Sequence, residues 1–167
     1  LFRSWAVTAI AVMRLGAVLV PLSTLLRPPE LEAQLHTADV QALIAEPEYR
    51  GRRYLDELAD HIPGIADLGS TRARHPRLPN LQHVWSVDAL RDELAADALV
   101  EAIERRVTPA HDLVVMFTSG SRGAPKGVIH THGALIRHID NLNELRRYTP
   151  DEVLFANSPF FWIGGFA

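Results

Sequence analysis

The chain has 167 residues, 47% of them apolar and 22% charged, with a formal net charge of −3. That composition suits a globular chain with one core of ordinary size and excludes a disordered segment, and the slight acidity gives no bulk electrostatic case for nucleic acid. There is no cysteine, which excludes a disulfide framework and cysteine-based metal or nucleophile chemistry and is compatible with a cytosolic setting.

Leu1 to about Leu15 predicts an amphipathic helix, with Ser4, Thr8, Ala11 and Arg14 on one face and Trp5, Ala9, Val12 and Met13 on the other. Gly16 ends it, and Ala17 to Val20 predicts a buried strand closed by Pro21. Trp5 to Leu26 is mostly apolar, but Arg14 at mid-span and Pro21 argue against a transmembrane helix. Neither a basic end nor a small-residue cleavage site marks a signal peptide. Pro28-Pro29-Glu30 predicts a helix start, with Leu31, Leu35 and Ala38 following at helical spacing and Asp39 at the end. Val40 to Ala45 predicts a strand. Arg50 to Ile62 predicts a third helix that carries Leu55, Leu58 and Ile62 inward and stops at Pro63-Gly64. The alternation of helix and strand points to a mainly parallel α/β sheet with right-handed crossovers.

Arg72, Arg74, His75 and Arg77 then sit among two prolines and polar residues. They read either as a basic patch for phosphate or as a solvated surface loop, and the second is preferred because no aromatic or glycine framework accompanies the charges. Leu81 to Trp85 predicts a strand. Asp88 to about Arg106 predicts helix with a break near Ala96-Asp97, and Thr108-Pro109 restarts the chain.

Leu113-Val114-Val115-Met116-Phe117 reads as a buried strand. It runs into Thr118-Ser119-Gly120-Ser121-Arg122-Gly123-Ala124-Pro125-Lys126-Gly127, where three hydroxyls, three glycines and a lysine fall within ten residues. That mixture suits a polyanion: glycines bring backbone N–H groups close to phosphate oxygens, hydroxyls donate further hydrogen bonds, and the ammonium supplies charge. The bland alternative is a tight Gly/Pro hairpin with a solvated lysine. The stretch does not match the Walker A loop, because Lys126 lies between Pro125 and Gly127 and no helix starts directly after it. Val128 to Thr131 reads as a short strand, so the loop is expected within a strand–loop–strand hairpin, with hydroxyls and amides rather than a helix dipole holding the anion.

Thr131 is the expected N-cap of a helix from about His132 to Arg147, with Ala134, Leu135, His138, Leu142 and Leu145 on its inner face. His130 and His132 alone do not complete a zinc site. Asp151 to Ala156 reads as a turn and then a strand. It leads to Ser158-Pro159-Phe160-Phe161-Trp162-Ile163-Gly164-Gly165, either the wall of an apolar pocket or a strand end packed in the core.

The run Phe-Thr-Ser-Gly-Ser-Arg-Gly-Ala-Pro-Lys-Gly-Val from Phe117 to Val128 resembles the signature of the AMP-forming acyl-adenylate enzymes, a family that includes acyl-CoA synthetases, luciferases and peptide-synthetase adenylation domains. The usual form is Ser/Thr-Ser-Gly-Ser/Thr-Ser/Thr-Gly-x-Pro-Lys-Gly, and Arg122 stands where a hydroxyl residue is usual. Met13 to Leu22 and Arg27 to Leu31 resemble the upstream helix–strand–helix of acyl-CoA synthetases, so the likeness covers nearly the whole chain and is weakest over about Glu46 to Thr108. The resemblance implies part of the large N-terminal domain of the acyl-adenylate-forming fold, with mainly parallel sheets layered with helices and a strand–loop–strand phosphate loop. Residues 1–167 would be a partial AMP-binding domain, truncated at both ends and without the C-terminal lid domain.

The resemblance also implies a chemistry. ATP, with Mg2+, would activate a carboxylic acid to acyl-AMP, and coenzyme A (CoA) would then take the acyl group. Thr118, Ser119, Gly120, Ser121, Arg122, Gly123, Lys126 and Gly127 would serve the ATP phosphates. Phe161, Trp162, Gly164 and Gly165 would line the acid channel, with Trp162 at the family's usual histidine. Amino-acid-activating members usually place an aspartate in this segment. Phe160, Phe161 and Trp162 offer no carboxylate to a buried ammonium, which favours a fatty, aryl or other hydrophobic acid. The family's adenine-binding segment, ribose-binding aspartate, magnesium-coordinating glutamate and C-terminal lysine would lie beyond Ala167, so ligase activity is expected of a full-length parent and not of this chain alone. A non-catalytic remnant, an interaction module and transfer to a carrier protein are the competing readings. The expected location is cytoplasmic, free or peripheral to a membrane.

Overall fold

The computed structural model describes residues 2–68, 74–90, 97–118, 125–155 and 157–166, with the Phe2 side chain left out of the description. These residues fall into two compact units. One is built mainly from residues 2–8 and the described part of 24–90, the other from 9–23, 97–118 and 126–166. Among the described residues no helix is long and apolar enough to cross a membrane.

Helix α1 (Phe2–Arg14) forms where the amphipathic pattern places it. Ala9 is buried and Trp5, Val12 and Met13 are half-buried, whereas Ala11 and Arg14 face solvent. Its end is set by backbone geometry. Gly16 takes a φ of 72°, its N–H donates to the Met13 carbonyl at 3.1 Å, and the Ala17 N–H reaches back to Val12 at 3.2 Å. This is the Schellman pattern, and it needs a residue that tolerates the left-handed region.

In the first unit, α2 (Pro28–Thr37) starts on its two prolines, and the Glu30 carboxylate accepts from the Arg27 N–H at 2.8 Å. It ends at Asp39, which adopts a φ of 49°, with Val40 N–H donating to Leu35 at 3.1 Å. Strand β1 (Ala42–Ala45) follows, then α3 (Tyr54–His61). Strand β2 (His83–Ser86) returns parallel to β1, pairing Ala42 with His83 and Ala45 with Ser86. This is the parallel crossover expected from the alternation. The core is apolar: Leu35, Leu43, Leu58, Ile62, Ile65, Leu68, Leu78 and Leu81 are all buried. Each such side chain is worth roughly 1.5–3 kcal/mol of burial.

Polar clasps hold the loops onto this core. Arg52 pairs with Glu57 and donates to the carbonyls of Thr24 (2.7 Å) and Leu26 (3.0 Å). Its guanidinium lies 4.9 Å from the centre of the Tyr54 ring. Arg77 donates to Glu32 through Nε (2.6 Å) and Nη2, and to the His61 carbonyl at 2.9 Å, while His61 Nε2 lies 2.8 Å from the same carboxylate. Arg77 therefore has its donors engaged within the fold, which removes it from the basic patch considered above. Arg72 lies outside the described residues.

The second unit contains α4 (Asp97–Glu104), β3 (Asp112–Thr118), β4 (Lys126–Thr131), α5 (His132–Arg146) and the single turn α6 (Ile163–Phe166). The expected hairpin is present, with β3 and β4 antiparallel. On the other edge of β3, Leu19 forms a parallel bridge with Val114, donating to Leu113 at 2.9 Å and accepting from Val115 at 2.9 Å. The strand predicted over Ala17 to Val20 shrinks to this one bridge. The next rung would need an N–H from residue 21, and Pro21 has none.

Two further expectations are corrected. Val153 to Phe155 is not a strand: Val153 is 97% exposed and Phe155 92%, and among the described residues nothing pairs with them. A strand without a ladder leaves its amides to water and gains nothing from its apolar side chains. The inner face of α5 consists of Leu135, Ile139 and Leu142, while Ala134, His138 and Leu145 are exposed. The helix is rotated so that Ile139, not His138, meets the core.

The Glu32 clasp carries a pH signature. Burial alone would raise the Glu32 carboxyl, but hydrogen bonds and charge from Arg77 and His61 outweigh it and hold the group below its ordinary value of 4.5. A depressed carboxylate contributes stability above the unfolded-state pKa, and that contribution is lost as pH falls through the folded-state pKa. Urea melts of the wild type should therefore lose stability between about pH 5 and about pH 3 more steeply than those of Glu32→Gln. At neutral pH the substitution should cost about 1 kcal/mol or more. Parallel pH profiles would show that the clasp does not stabilise the fold.

Candidate functional site

The hairpin is organised by its buried strand. Val114 and Met116 point into a core shared with Leu113 and Leu135, against which Met13, Leu19, Ile139 and Phe166 pack. A register shift between Asp112 and Val114 marks a bulge at Leu113. The extra residue explains why two successive side chains, Leu113 and Val114, are both buried in an otherwise alternating strand. Beyond the bulge the register is regular through Met116–Val128 and Phe117–Gly127 to Thr118–Lys126.

Among the described residues Thr118 and Lys126 are therefore the last cross-strand pair before the loop, and both are exposed. The Thr118 hydroxyl donates to the Lys126 carbonyl at 3.3 Å, leaving the lysine ammonium free of that contact. Ser119, Gly120, Ser121, Arg122 and Gly123 lie outside the described residues. The structure thus pairs Thr118 and Lys126, the two ends of the predicted phosphate loop, across a single rung.

Gly127 is needed for a steric reason that the motif alone does not reveal. A Cβ on it would lie 2.5 Å from Cγ1 of Val115 and 3.7 Å from the Phe117 ring. The side chains of β3 cover this rung, and only a glycine lets β4 close on them.

The segment predicted to wall a pocket is a turn leading into α6, not a strand end. Trp162 N–H donates to the Pro159 carbonyl at 3.0 Å, and the Trp162 carbonyl accepts from Gly165 (3.0 Å) and Phe166 (3.1 Å). Phe161 and Trp162 meet edge to face with ring centres 5.7 Å apart. Trp162 is 58% exposed, whereas Phe161 is half-buried. The two glycines differ. A Cβ on Gly165 would lie 2.5 Å from the carbonyl oxygens of both Ser158 and Pro159, while one on Gly164 would meet nothing within 4 Å. Gly165 is thus a closure point of the turn, and Gly164 is sterically unconstrained.

Thr131 caps α5 as expected, accepting from the Ala134 N–H at 3.2 Å. His132 follows it with a buried Nε2 that has no hydrogen-bond partner. Burial, and then the charge of nearby His111, lower its pKa below the ordinary histidine value, so the ring is held neutral. Among the described residues no group of three His, Asp or Glu side chains could hold a metal ion. Sequence reasoning did not single out Phe166, whose packing onto the cluster of Leu113, Val114, Met116 and Leu135 follows the turn that precedes it.

The AMP-binding enzyme family model matches residues 3–167. Over 175 residues the chain is 27% identical to the mitochondrial medium-chain acyl-CoA ligase ACSF2 of Macaca fascicularis, with 95% of this chain and 28% of that protein covered. It is 30% identical over 158 residues to the indoleacetate–CoA ligase of Aromatoleum aromaticum, covering 95% of this chain and 29% of the relative. Among solved structures it resembles VinN in complex with L-aspartate, with a TM-score of 0.65 and 25% identity over 95% of this chain and 40% of that one. The chain spans less than a third of the length of the curated relatives it matches.

The contacts at the glycines make a graded expectation. Gly165→Ala should destabilise the protein by about 1–3 kcal/mol, because the obstructing atoms are backbone carbonyls that cannot rotate aside. Gly164→Ala should be neutral within about 0.5 kcal/mol. Gly127→Ala should fall between them, since the Val115 side chain can partly yield. Thermal melting of the three variants would check the order, and equal melting temperatures for Gly164→Ala and Gly165→Ala would refute it.

Proposed function

The chain belongs to the AMP-binding enzyme family, and on that premise we propose that the full-length protein is an AMP-forming acid–thiol ligase that activates a hydrophobic carboxylic acid and passes it to CoA. On this reading residues 1–167 are part of its N-terminal AMP-binding domain, a C-terminal lid domain lies elsewhere in the polypeptide, and the protein works in the cytoplasm. The observation that carries the reading is the hairpin: a buried strand delivers Thr118, and an exposed strand paired to it in register delivers Lys126, at the two ends of a loop rich in hydroxyls and glycines.

In the first step a carboxylate oxygen of the acid attacks the α-phosphorus of ATP. The bond from that phosphorus to the bridging oxygen breaks, and pyrophosphate leaves. In the second step the CoA thiolate attacks the acyl carbonyl carbon, the bond to the AMP oxygen breaks, and AMP leaves. Such transfers depend mainly on positioning and on stabilising developing negative charge. Lys126 supplies a full positive charge to the β- and γ-phosphates, and Thr118 supplies a hydroxyl once it turns from the Lys126 carbonyl to the phosphate. Ser119, Ser121 and the backbone at Gly120 and Gly123 complete the cradle, and Arg122 adds a second cation where the family has a hydroxyl. The magnesium ion would arrive with ATP. The described residues present no three-ligand cluster for it, so no protein ligand is assigned and no step is routed through it.

The acid is assigned to the Phe161–Trp162 turn. Its aromatic side chains and lack of a carboxylate favour an uncharged acyl or aryl body over an amino acid. The names of the medium-chain and indoleacetate ligases support the same choice. VinN, solved with L-aspartate, is the counterexample that a test must include.

The test is ATP–pyrophosphate exchange on the full-length protein with fatty, aryl and amino acids. Exchange should be driven by a fatty or aryl acid and not by aspartate. Lys126→Ala should lower it at least tenfold, equivalent to about 1.4 kcal/mol or more of lost charge stabilisation. Folding should be unaffected, because Lys126 is exposed. Exchange at the wild-type rate in Lys126→Ala would remove the lysine from the phosphate site, and exchange driven by aspartate alone would overturn the hydrophobic-acid assignment.

A further inference from the structure

Helix α6 is one turn of four residues, too short to hold its place through its own hydrogen bonds. Its N-terminal side exposes Trp162 and Gly164. Its last residue is half-buried: Phe166 packs against the cluster formed by Leu113, Val114, Met116 and Leu135. Three of those four belong to β3, and Met116 is two residues before Thr118, on the same side of the strand. The Trp162 carbonyl accepts from the Phe166 N–H at 3.1 Å, so the aromatic wall and the anchor are joined by a hydrogen bond. Gly165 closes the turn onto Ser158 and Pro159. A displacement of Phe166 would therefore carry the Trp162 turn with it.

We propose that Phe166 is a positioning residue for acid activation, fixing the Trp162 turn on the strand that ends in the phosphate loop. The proposal rests on the acyl-adenylate reading above. An acid held by the turn and phosphates held at the Thr118–Lys126 rung then share one close-packed reference. Nucleophilic attack is sensitive to misplacement of about 1 Å, and a turn released from β3 would let the carboxylate drift from the α-phosphorus while the phosphate site stayed intact. Ile139 provides the internal comparison: it packs on the same cluster but from α5, an element separate from the Trp162 turn.

The experiment compares Phe166→Ala, Phe166→Leu and Ile139→Ala in the full-length protein, by ATP–pyrophosphate exchange and thermal melting. Phe166→Ala should raise the KM for the acid about fivefold or more and lower kcat about tenfold, with the KM for ATP within about twofold of wild type. Phe166→Leu should restore most of the loss. Ile139→Ala should lower the melting temperature by a comparable amount and leave the KM for the acid unchanged. Equal shifts in acid KM for Phe166→Ala and Ile139→Ala, or a wild-type acid KM in Phe166→Ala, would overturn the positioning role. If Phe166→Ala does not fold, Phe166→Val carries the same comparison. A folded wild-type protein that exchanges with no acid overturns the acyl-adenylate reading itself, and an active wild type with an unmoved acid KM in the variant overturns only the role of Phe166.

Discussion

The burial of β3 is the constraint on which the second unit depends. Val114 is fully buried and Leu113 and Met116 nearly so, and each edge and apolar contact of the strand is used by a different part of the chain. Leu19 takes one edge, β4 takes the other, and its buried side chains form a cluster with Leu135 against which Ile139 and Phe166 pack. A strand held on so many sides has little freedom to slide or twist. That rigidity matters because Thr118 is its last residue: whatever the loop binds is referred back to a backbone that cannot easily move. Hydroxyls and glycines in a loop position a ligand best at the end of such an element, since a loop on a loose strand would lose the positioning on which phosphoryl chemistry relies.

The first unit achieves order by a different route. Its apolar core is made mostly of single leucines from short elements, and its connections are held by arginines that reach backbone carbonyls. Arg52 ties the segment before α2 to α3, and Arg77 ties a later loop to both helices through Glu32 and His61. Exposed ion pairs contribute little, but a guanidinium that also satisfies carbonyls replaces several water contacts at once. A cluster of arginines in this kind of sequence is easily read as an anion site. Here one of them, Arg77, is a fastening.

Much of this organisation was legible in the sequence where local chemistry decides it. Gly16, Asp39 and Thr131 mark helix boundaries because left-handed backbone and side-chain capping depend on the residue itself. The hairpin was legible because an apolar run, a Gly/Pro-rich loop and a second apolar run admit few alternatives. The failures arise where partners decide. Ala17 to Val20 has strand composition, but Pro21 limits it to one rung, and Val153 to Phe155 has the same composition with no partner strand among the described residues. On α5 Leu135 and Leu142 lie inward as expected, but Ile139 takes the place expected of His138, because helical spacing alone does not tell which of two neighbouring stripes meets the core. Thr118 and Lys126 stand out in the sequence as the ends of the glycine-rich loop, and their cross-strand pairing follows from the hairpin. The unequal roles of Gly164 and Gly165, and the anchoring by Phe166, depend on how the turn folds back on Ser158 and Pro159, which no spacing rule encodes.

Pro21 has a consequence beyond shortening a strand. A proline beside a sheet edge is a guard against self-association, because it offers no N–H to an incoming strand and its ring obstructs approach. Among the described residues the opposite edge has no such guard: β4 carries Val128 and Ile129, 43% and 59% exposed, and contains no proline between Lys126 and Thr131. The two margins of this small sheet therefore differ in colloidal risk. Wherever the edge of β4 is left open, as in a partly folded chain, clumping would start along it, and Lys126, the charge read above as an anion ligand, would double there as a gatekeeper against it.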